Sequence, residues 1–266
     1  MSVVAATAEF IVTIDGPAGT GKSTVAHRLA RRLGLEFLDT GAMYRAAALR
    51  ALELGIDPAD GERVAKLVRD LEIRFDWRCD PPDLLVDGES VGDRIRTQEV
   101  TRAVSAVASN PIVRAAMVEA QREIASLHPR LVTEGRDQGS VVFPDAHVRI
   151  YLDARPEIRA RRRVEQLAAK GIVTCEAEVL AQILERDRSD STRRDGPLVC
   201  PRGADVVDTS DVDIDDVIDR LEAIVRERAG AALRNAHRAQ SDGGSLGGSL
   251  GGSRGGSLGS DGATAP

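Results

Sequence analysis

The stretch Phe10-Ile11-Val12-Thr13-Ile14-Asp15-Gly16-Pro17-Ala18-Gly19-Thr20-Gly21-Lys22-Ser23 decides the fold. Its second half fits G-x-x-x-x-G-K-[ST], the phosphate-binding loop. Glycines let a backbone wrap closely round an anion, so that successive N–H groups point at phosphate oxygens. A lysine at position 22 reaches the β- and γ-phosphates, and a serine hydroxyl at 23 can ligate Mg²⁺. The flanks supply the context that the motif needs. Phe10–Ile14 reads as a short β-branched strand, and Val25, Ala26, Leu29, Ala30 and Leu33 recur at helical spacing up to Gly34, a C′ stop. Strand, glycine loop and helix N-terminus together make an anion site, because the helix dipole adds to the N–H groups. The stretch implies a nucleoside triphosphate ligand.

Working outward, four further apolar runs are separated by helical patterns: Glu36–Leu38, Leu131–Thr133, Val148–Leu152 and Asp205–Val207. Strands alternating with helices imply right-handed crossovers and a parallel sheet covered on both faces. Ligands gather at the carboxyl ends of such strands. Asp15, Asp39, Glu134 and Asp153, each just past a run, are therefore expected to face one crevice. The long section after the second run carries an alanine-rich helix, Ala42–Leu54, closed by Gly55. Two short runs follow, with Asp87-Gly88 as a type I′ hairpin signal. An inserted lobe with a small antiparallel sheet, at about 56–103, is the expectation. Two helices are expected to follow, the second beginning near Pro111, with Val113, Met117, Ala120, Ile124 and Leu127 on one stripe. The dense arginines of Glu157–Arg163 open a helix–loop–helix expected as a lid at about 157–190. A last helix is expected around Val212–Ala229.

The chain has 266 residues and a formal net charge of −6, which argues against a general nucleic-acid binder. Cys79, Cys175 and Cys200 have no C-x-x-C spacing and read as reduced thiols of a cytosolic protein. The first ten residues have neither a basic leader nor a long apolar core. No run approaches the roughly 20 apolar residues of a membrane span, so a soluble cytoplasmic protein is expected. From Ser241 a GGSL repeat has almost nothing to bury. One folded domain over 9–235 and a disordered tail over 236–266 are expected.

The reaction class follows by elimination. Guanine-specific switches use N-K-x-D, but Asn110 and Asn235 are the only asparagines and precede Pro and Ala. Motor ATPases favour an apolar strand ending Asp-Glu, which no run provides. Small-molecule kinases remain. A phosphate acceptor is already an oxyanion and needs cations, not a base. Arg45, Arg96, Arg136, Arg186, Arg188, Arg193 and Arg194 lie where such work would occur, and arginine grips phosphate bidentately.

The segments IDGPAGTGKST, LDTGAMYRAAAL, IRTQEV, EGRDQGSVVFPDA, IYLDA and RDRSDSTR, in order from about Ile11 to Leu221, resemble bacterial cytidylate kinases. The resemblance implies a P-loop kinase fold: a five-stranded parallel sheet flanked by helices, an inserted monophosphate-binding lobe and an arginine-rich lid. It implies transfer of the γ-phosphate of ATP to CMP or dCMP with Mg²⁺. Gly16, Pro17, Ala18, Gly19, Thr20, Gly21, Lys22, Ser23 and Thr24 would bind ATP, with Ser23 on the metal. Thr40 and Arg45 would lie at the acceptor phosphate, with Arg136 and Arg193 as further phosphate arginines. Ser105, Arg114 and Asp137 would read cytosine, whose N4 amine suits a carboxylate where uracil has an oxygen. Arg186 and Asp190 would lie at the ribose, and Arg162 would approach ATP from the lid. Lys22, Arg136, Arg193 and Arg162 form the expected catalytic set. Partners would be nucleotides only, with no nucleic acid or membrane, and the protein a monomer. A kinase for another monophosphate such as UMP, and a non-catalytic nucleotide-gated module, stay open alternatives.

Overall fold

The computed structural model describes residues 9–169 and 171–244. At its centre β1 (Phe10–Asp15) is buried along its whole length. An unbroken apolar run of this kind suits a strand covered on both faces. It pairs in parallel with β6 (Arg130–Gly135) on one side and β7 (Val148–Asp153) on the other. Outside these lie β2 (Glu36–Asp39) and β8 (Asp205–Asp208), giving, among the described residues, a five-stranded parallel sheet in the order β2-β6-β1-β7-β8. All five sequence-read runs are strands of this sheet, to within a residue or two at each end.

Two apolar clusters cover its faces. On one side α1 (Lys22–Leu33) and α8 (Ile214–Gly244) pack Val25, Leu29, Ile218 and Leu221 against Val12, Ile14 and Ile150. On the other, α2 (Thr40–Glu53), α3 (Gly61–Asp70), α4 (Gln98–Ser109) and α5 (Pro111–Leu127) bury Met43, Val64, Val104 and Met117 with Leu38 and Leu131. Their starts are fixed locally. Asp39, Asp60, Thr97 and Asn110 each accept a backbone N–H of the first turn, the capping that these residue types favour.

The inserted segment holds the antiparallel sheet β3 (Ile73–Asp76), β4 (Asp83–Val86) and β5 (Glu89–Ser90). Asp87 and Gly88 link β4 to β5 with φ of 53° and 82°, the left-handed pair that a type I′ turn requires. Phe75, Leu84 and Val86 join the cluster of α2 and α5, so the insertion shares the main core. The segment between β3 and β4 reaches back to the sheet. Asp80 pairs with His27 and Arg31 of α1, while Trp77 lies 4.6 Å from the His128 ring, itself bonded to Glu36.

The arginine-rich region forms a helical pair, α6 (Pro156–Ala168) and α7 (Glu176–Thr192), around a small core of Ala160, Val179 and Ile183. One expectation requires correction. The last helix does not stop near Ala229: the backbone breaks there (φ −143°, ψ 22°) and α8 then continues to Gly244. Ala231-Ala232-Leu233-Arg234 is made of strong helix formers, which carry the helix beyond residue 235 and into the start of the repeat. The rest of the expected tail, 245–266, lies outside the described residues.

Met117 of α5 is fully buried where α2, α4 and α5 meet. Met117→Ala should lower unfolding free energy by about 2–5 kcal/mol with an unchanged denaturant slope, measured by urea denaturation.

Candidate active site

The site begins where β1 ends. Gly16, Gly19 and Gly21 adopt φ of 151°, 83° and 86°. A side chain at Gly16 would run into the Leu152 carbonyl, so only glycine lets the loop leave the sheet here. No side chain among the described residues caps α1, and its first turn contains no acid. Its leading N–H groups are therefore open to an anion. Lys22 folds back over the loop and donates to the Pro17 carbonyl at 2.7 Å. Burial, reinforced by the charge of Arg136, pushes its ammonium down to about 7.

Beside the loop lies a carboxylate pair. Ser23 donates to Glu134 Oε1 at 2.7 Å, and Thr40 donates to the Glu134 carbonyl at 2.7 Å. Asp39 caps α2 through the Ala42 N–H. Burial and the neighbouring charge of Glu134 raise its carboxyl to about 7. Two of the four strand-end acids, Asp39 and Glu134, thus meet the crevice. Asp15 lies buried beneath it, accepting the N–H groups of Gln138 and Gly139. Asp153 does not join them, because its carboxylate accepts the adjacent Ala154 N–H.

Across from the loop, cations converge from distant segments. Arg136, just past β6, donates to Asp190 of α7 at 2.9 Å. Arg193 bonds the Gly196 carbonyl and reaches the other Asp190 oxygen at 3.5 Å, leaving its Nη2 buried with no partner among the described residues. Arg45 of α2 is held by the Ile95 carbonyl and the Thr101 hydroxyl at 3.2 and 3.0 Å. Arg186 lies close enough to Arg136 and Arg45 that burial and their charges lower it to about 10. Asp190 resists burial because the charge and hydrogen bond of Arg136 hold its carboxyl below the usual range. The cluster is a cation-rich cup, short of negative charge.

Deeper in, the buried Asp137 is paired with the buried Arg114 of α5, whose guanidinium lies 5.7 Å from the Tyr44 ring centroid. The Tyr44 hydroxyl has no partner among the described residues, and burial pushes it up to about 12. A side chain at Gly196 would collide with both Arg114 and Asp137, so the turn after α7 covers this pair as closely as backbone can.

The sequence-read residues are distributed as follows. Gly16–Ser23, Thr40, Arg45, Arg114, Arg136, Asp137, Arg186, Asp190 and Arg193 surround one crevice at the carboxyl edge of the sheet. Thr24 is exposed in the first turn of α1. Ser105 is exposed on α4 and enters none of these hydrogen bonds. Arg162 donates to the Thr209 carbonyl and hydroxyl just past β8, at 2.5 and 3.3 Å. The helical-pair arginine that touches the phosphate loop is Arg159. It is almost fully buried and donates to the carbonyls of Ala18 (3.1 Å) and Ala154 (2.9 Å) and to Asp187 (2.6 Å). Sequence reading passed over Arg159 and Asp187. The available signal was position: Arg159 lies in the first turn of α6, one turn nearer to the sheet than Arg162.

A family profile described as cytidylate kinase matches residues 12–227, which include every residue of this crevice. The chain belongs to the cytidylate kinase family. A relative named cytidylate kinase from Mycobacterium avium (strain 104) is 48% identical over 225 residues, covering 85% of this chain and 99% of the relative. One of the same name from Rhodococcus opacus (strain B4) is 50% identical over 228 residues, covering 84% and 98%. Among solved structures, a shikimate kinase from Bacteroides thetaiotaomicron overlaps with a TM-score of 0.43 at 13% identity, covering 82% of this chain and 99% of that one. Among the described residues, no helix is long and apolar enough to cross a membrane.

The state of Lys22 gives a proton count. With its ammonium near 7 in the free protein, the side chain is mostly neutral at pH 8. A polyanion beside it favours the charged form and raises its pKa. Binding of a triphosphate at pH 8 should therefore take up about one proton per site, and at pH 5.5 close to none from this residue. Calorimetry in two buffers of different ionisation enthalpy measures the uptake, and Lys22→Met should abolish it.

Proposed function

We propose that the protein transfers the γ-phosphate of ATP to CMP or dCMP. The observation that carries this reading is the arrangement of Arg45, Arg136, Arg186 and Arg193 opposite Lys22, with the Arg114–Asp137 pair at its floor. Phosphoryl transfer to a phosphate acceptor brings two polyanions together. Its principal requirement is fixed positive charge round the transferring group.

On this reading the loop N–H groups and Lys22 hold the donor triphosphate. Thr20 stiffens the loop by donating to the Pro17 carbonyl. Arg45, Arg136 and Arg193 hold the acceptor phosphate in line, and Arg186 with Asp190 borders its sugar. Arg193 Nη2, which has no protein partner among the described residues, would gain one in the acceptor phosphate. Asp137 accepts from the cytosine N4 amine while Arg114 donates towards N3 and O2. Uracil would set an oxygen against that carboxylate and leave a buried acceptor unpaired. Arg159 fixes the root of α6 against Ala18, so the helical pair closes on a loop already in register.

The residues near Ser23 fit Mg²⁺. A hydroxyl beside the Glu134 carboxylate is a hard-oxygen donor set, and Mg²⁺ uses one or two such groups and fills its shell with phosphate oxygens and water. Ser23 and Glu134 would hold it, and bound there it would supply charge neutralisation between the donor phosphates.

Release of ADP coupled to offered CMP, dCMP, UMP, AMP or GMP tests the reading. Turnover should be strongest with CMP and dCMP. Lys22→Ala and Arg136→Ala should each lower it by at least ~10²-fold with unchanged far-ultraviolet circular dichroism. ATP binding with no monophosphate-dependent ADP release would overturn it.

A further inference from the structure

Asp15 ends β1, immediately before the phosphate loop, and has no exposed surface. Both of its oxygens are committed. Oδ1 accepts the Gln138 N–H and Oδ2 the Gly139 N–H, each at 2.7 Å. Neither residue belongs to the loop. They follow Arg136 and Asp137, which leave the sheet after Gly135, the ladder partner of Asp15. The Arg136–Asp137 dipeptide is thus suspended between two fixed points: Gly135, held by the ladder, and Gln138–Gly139, held by one carboxylate.

We propose that Asp15 is a positioning residue for acceptor selection, holding Asp137 in place by clamping the two peptide groups that follow it. The proposal rests on the reading that Asp137 recognises cytosine. The rest of the turn is built to transmit the clamp. The Gln138 side chain accepts from Thr133 (2.9 Å) and donates to Gln121 of α5 (3.1 Å), the helix that carries Arg114. Gly139 packs so closely that a side chain there would strike the Thr13 hydroxyl.

The clamp needs a carboxylate, because two N–H donors demand two acceptors. An amide, or a carboxyl carrying a proton, turns a donor against one of the N–H groups. Burial raises the Asp15 carboxyl to about 6 despite the two N–H bonds. The titratable groups facing it are Asp137 beyond β6, Lys22 of α1, Tyr151 of β7 and Cys200 before β8. Burial raises Tyr151 to about 12 and the Cys200 thiol above its usual value, so both stay neutral in mild acid. Lys22 acts on the donor and cancels in a comparison of two acceptors.

The test is the ratio of kcat/KM for CMP to that for UMP at saturating ATP between pH 7.5 and 5. Wild type should lose about tenfold in this ratio, with a midpoint near pH 6, as the clamped fraction falls to about a tenth. In Asp15→Asn the ratio should be low throughout and flat. A titration of the base itself would survive in the variant and can be subtracted. Independently of any variant, the Gln138 and Gly139 amide proton resonances of wild type should shift with the same midpoint. A CMP preference that is flat with pH in wild type, with amide signals that do not move, overturns the proposal. So does an Asp15→Asn protein that keeps the wild-type ratio and its pH dependence. Absence of CMP preference at pH 7.5 is a different failure: it overturns the cytosine reading itself and removes the selection role with it.

Discussion

The parallel register of β1 against β6 is the constraint on which the site depends. It sets Asp15 beside Gly135 and Ile14 beside Glu134, so two chain segments leave the sheet at the same level and side by side. One becomes the phosphate loop, the other the Arg136–Asp137 turn. A slip of one residue would turn every side chain of a strand to the opposite face and carry Glu134 away from Ser23. Phe10–Asp15 and Arg130–Gly135 are buried on both faces, so burial alone does not resist that slip. The bonds of Asp15 to Gln138 and Gly139 and of Ser23 to Glu134 do, because the slip would break them.

On that frame the electrostatics are deliberately incomplete. Arginines from α2, the turn after β6 and the end of α7 converge with Lys22, and each is depressed by burial and its neighbours' charge or propped up by one acid. Arg186 falls to about 10 and Lys22 to about 7. Burial pulls Arg136 down as well, but Asp190 more than compensates. Like charges held near one another in a desolvated cup cost stability, and that cost persists only where the fold over-determines the arrangement. Here Asp190, Asp187 and Asp137 neutralise part of the excess. What remains unbalanced is a field suited to phosphate.

The sequence was readable where the physics is local. A glycine loop between strand and helix, buried apolar runs, an Asp-Gly turn and an N1 proline each carry their own signal over a few residues, and each is found as read. The site list was readable mainly through the family resemblance, because its residues come from separate segments. Less readable were the pairings. Nothing near Arg136 in the chain says that its partner is Asp190, 54 residues away, nor that Arg159 lies against Ala18 while Arg162 turns to Thr209. Asp153 shows the converse error. Its position past a strand promised the crevice, but a nearby N–H at Ala154 was the closer donor. The extension of α8 was not legible, because the helix-favouring residues 231–234 stand close before a glycine repeat that does not favour a helix.

Arg159 also bears on how the helical pair can move. Its three bonds bind the first turn of α6 to the phosphate loop, to the end of β7 and to α7. At the same end of α7, three residues on from Asp187, Asp190 binds Arg136 and Arg193, and its carbonyl accepts the Leu198 N–H. Both roots of the pair are therefore fastened to the elements that border the crevice, while the turn between the helices, with Ile172 and Val173 exposed, has no such fastening among its described residues. On the proposed function, closure would pivot about the two roots, swinging the tip and leaving Arg159 on Ala18. This separates two demands that one flexible arm would confuse. On that function, the arginines at the reacting phosphates would stay fixed, and only the part that excludes water would have to move.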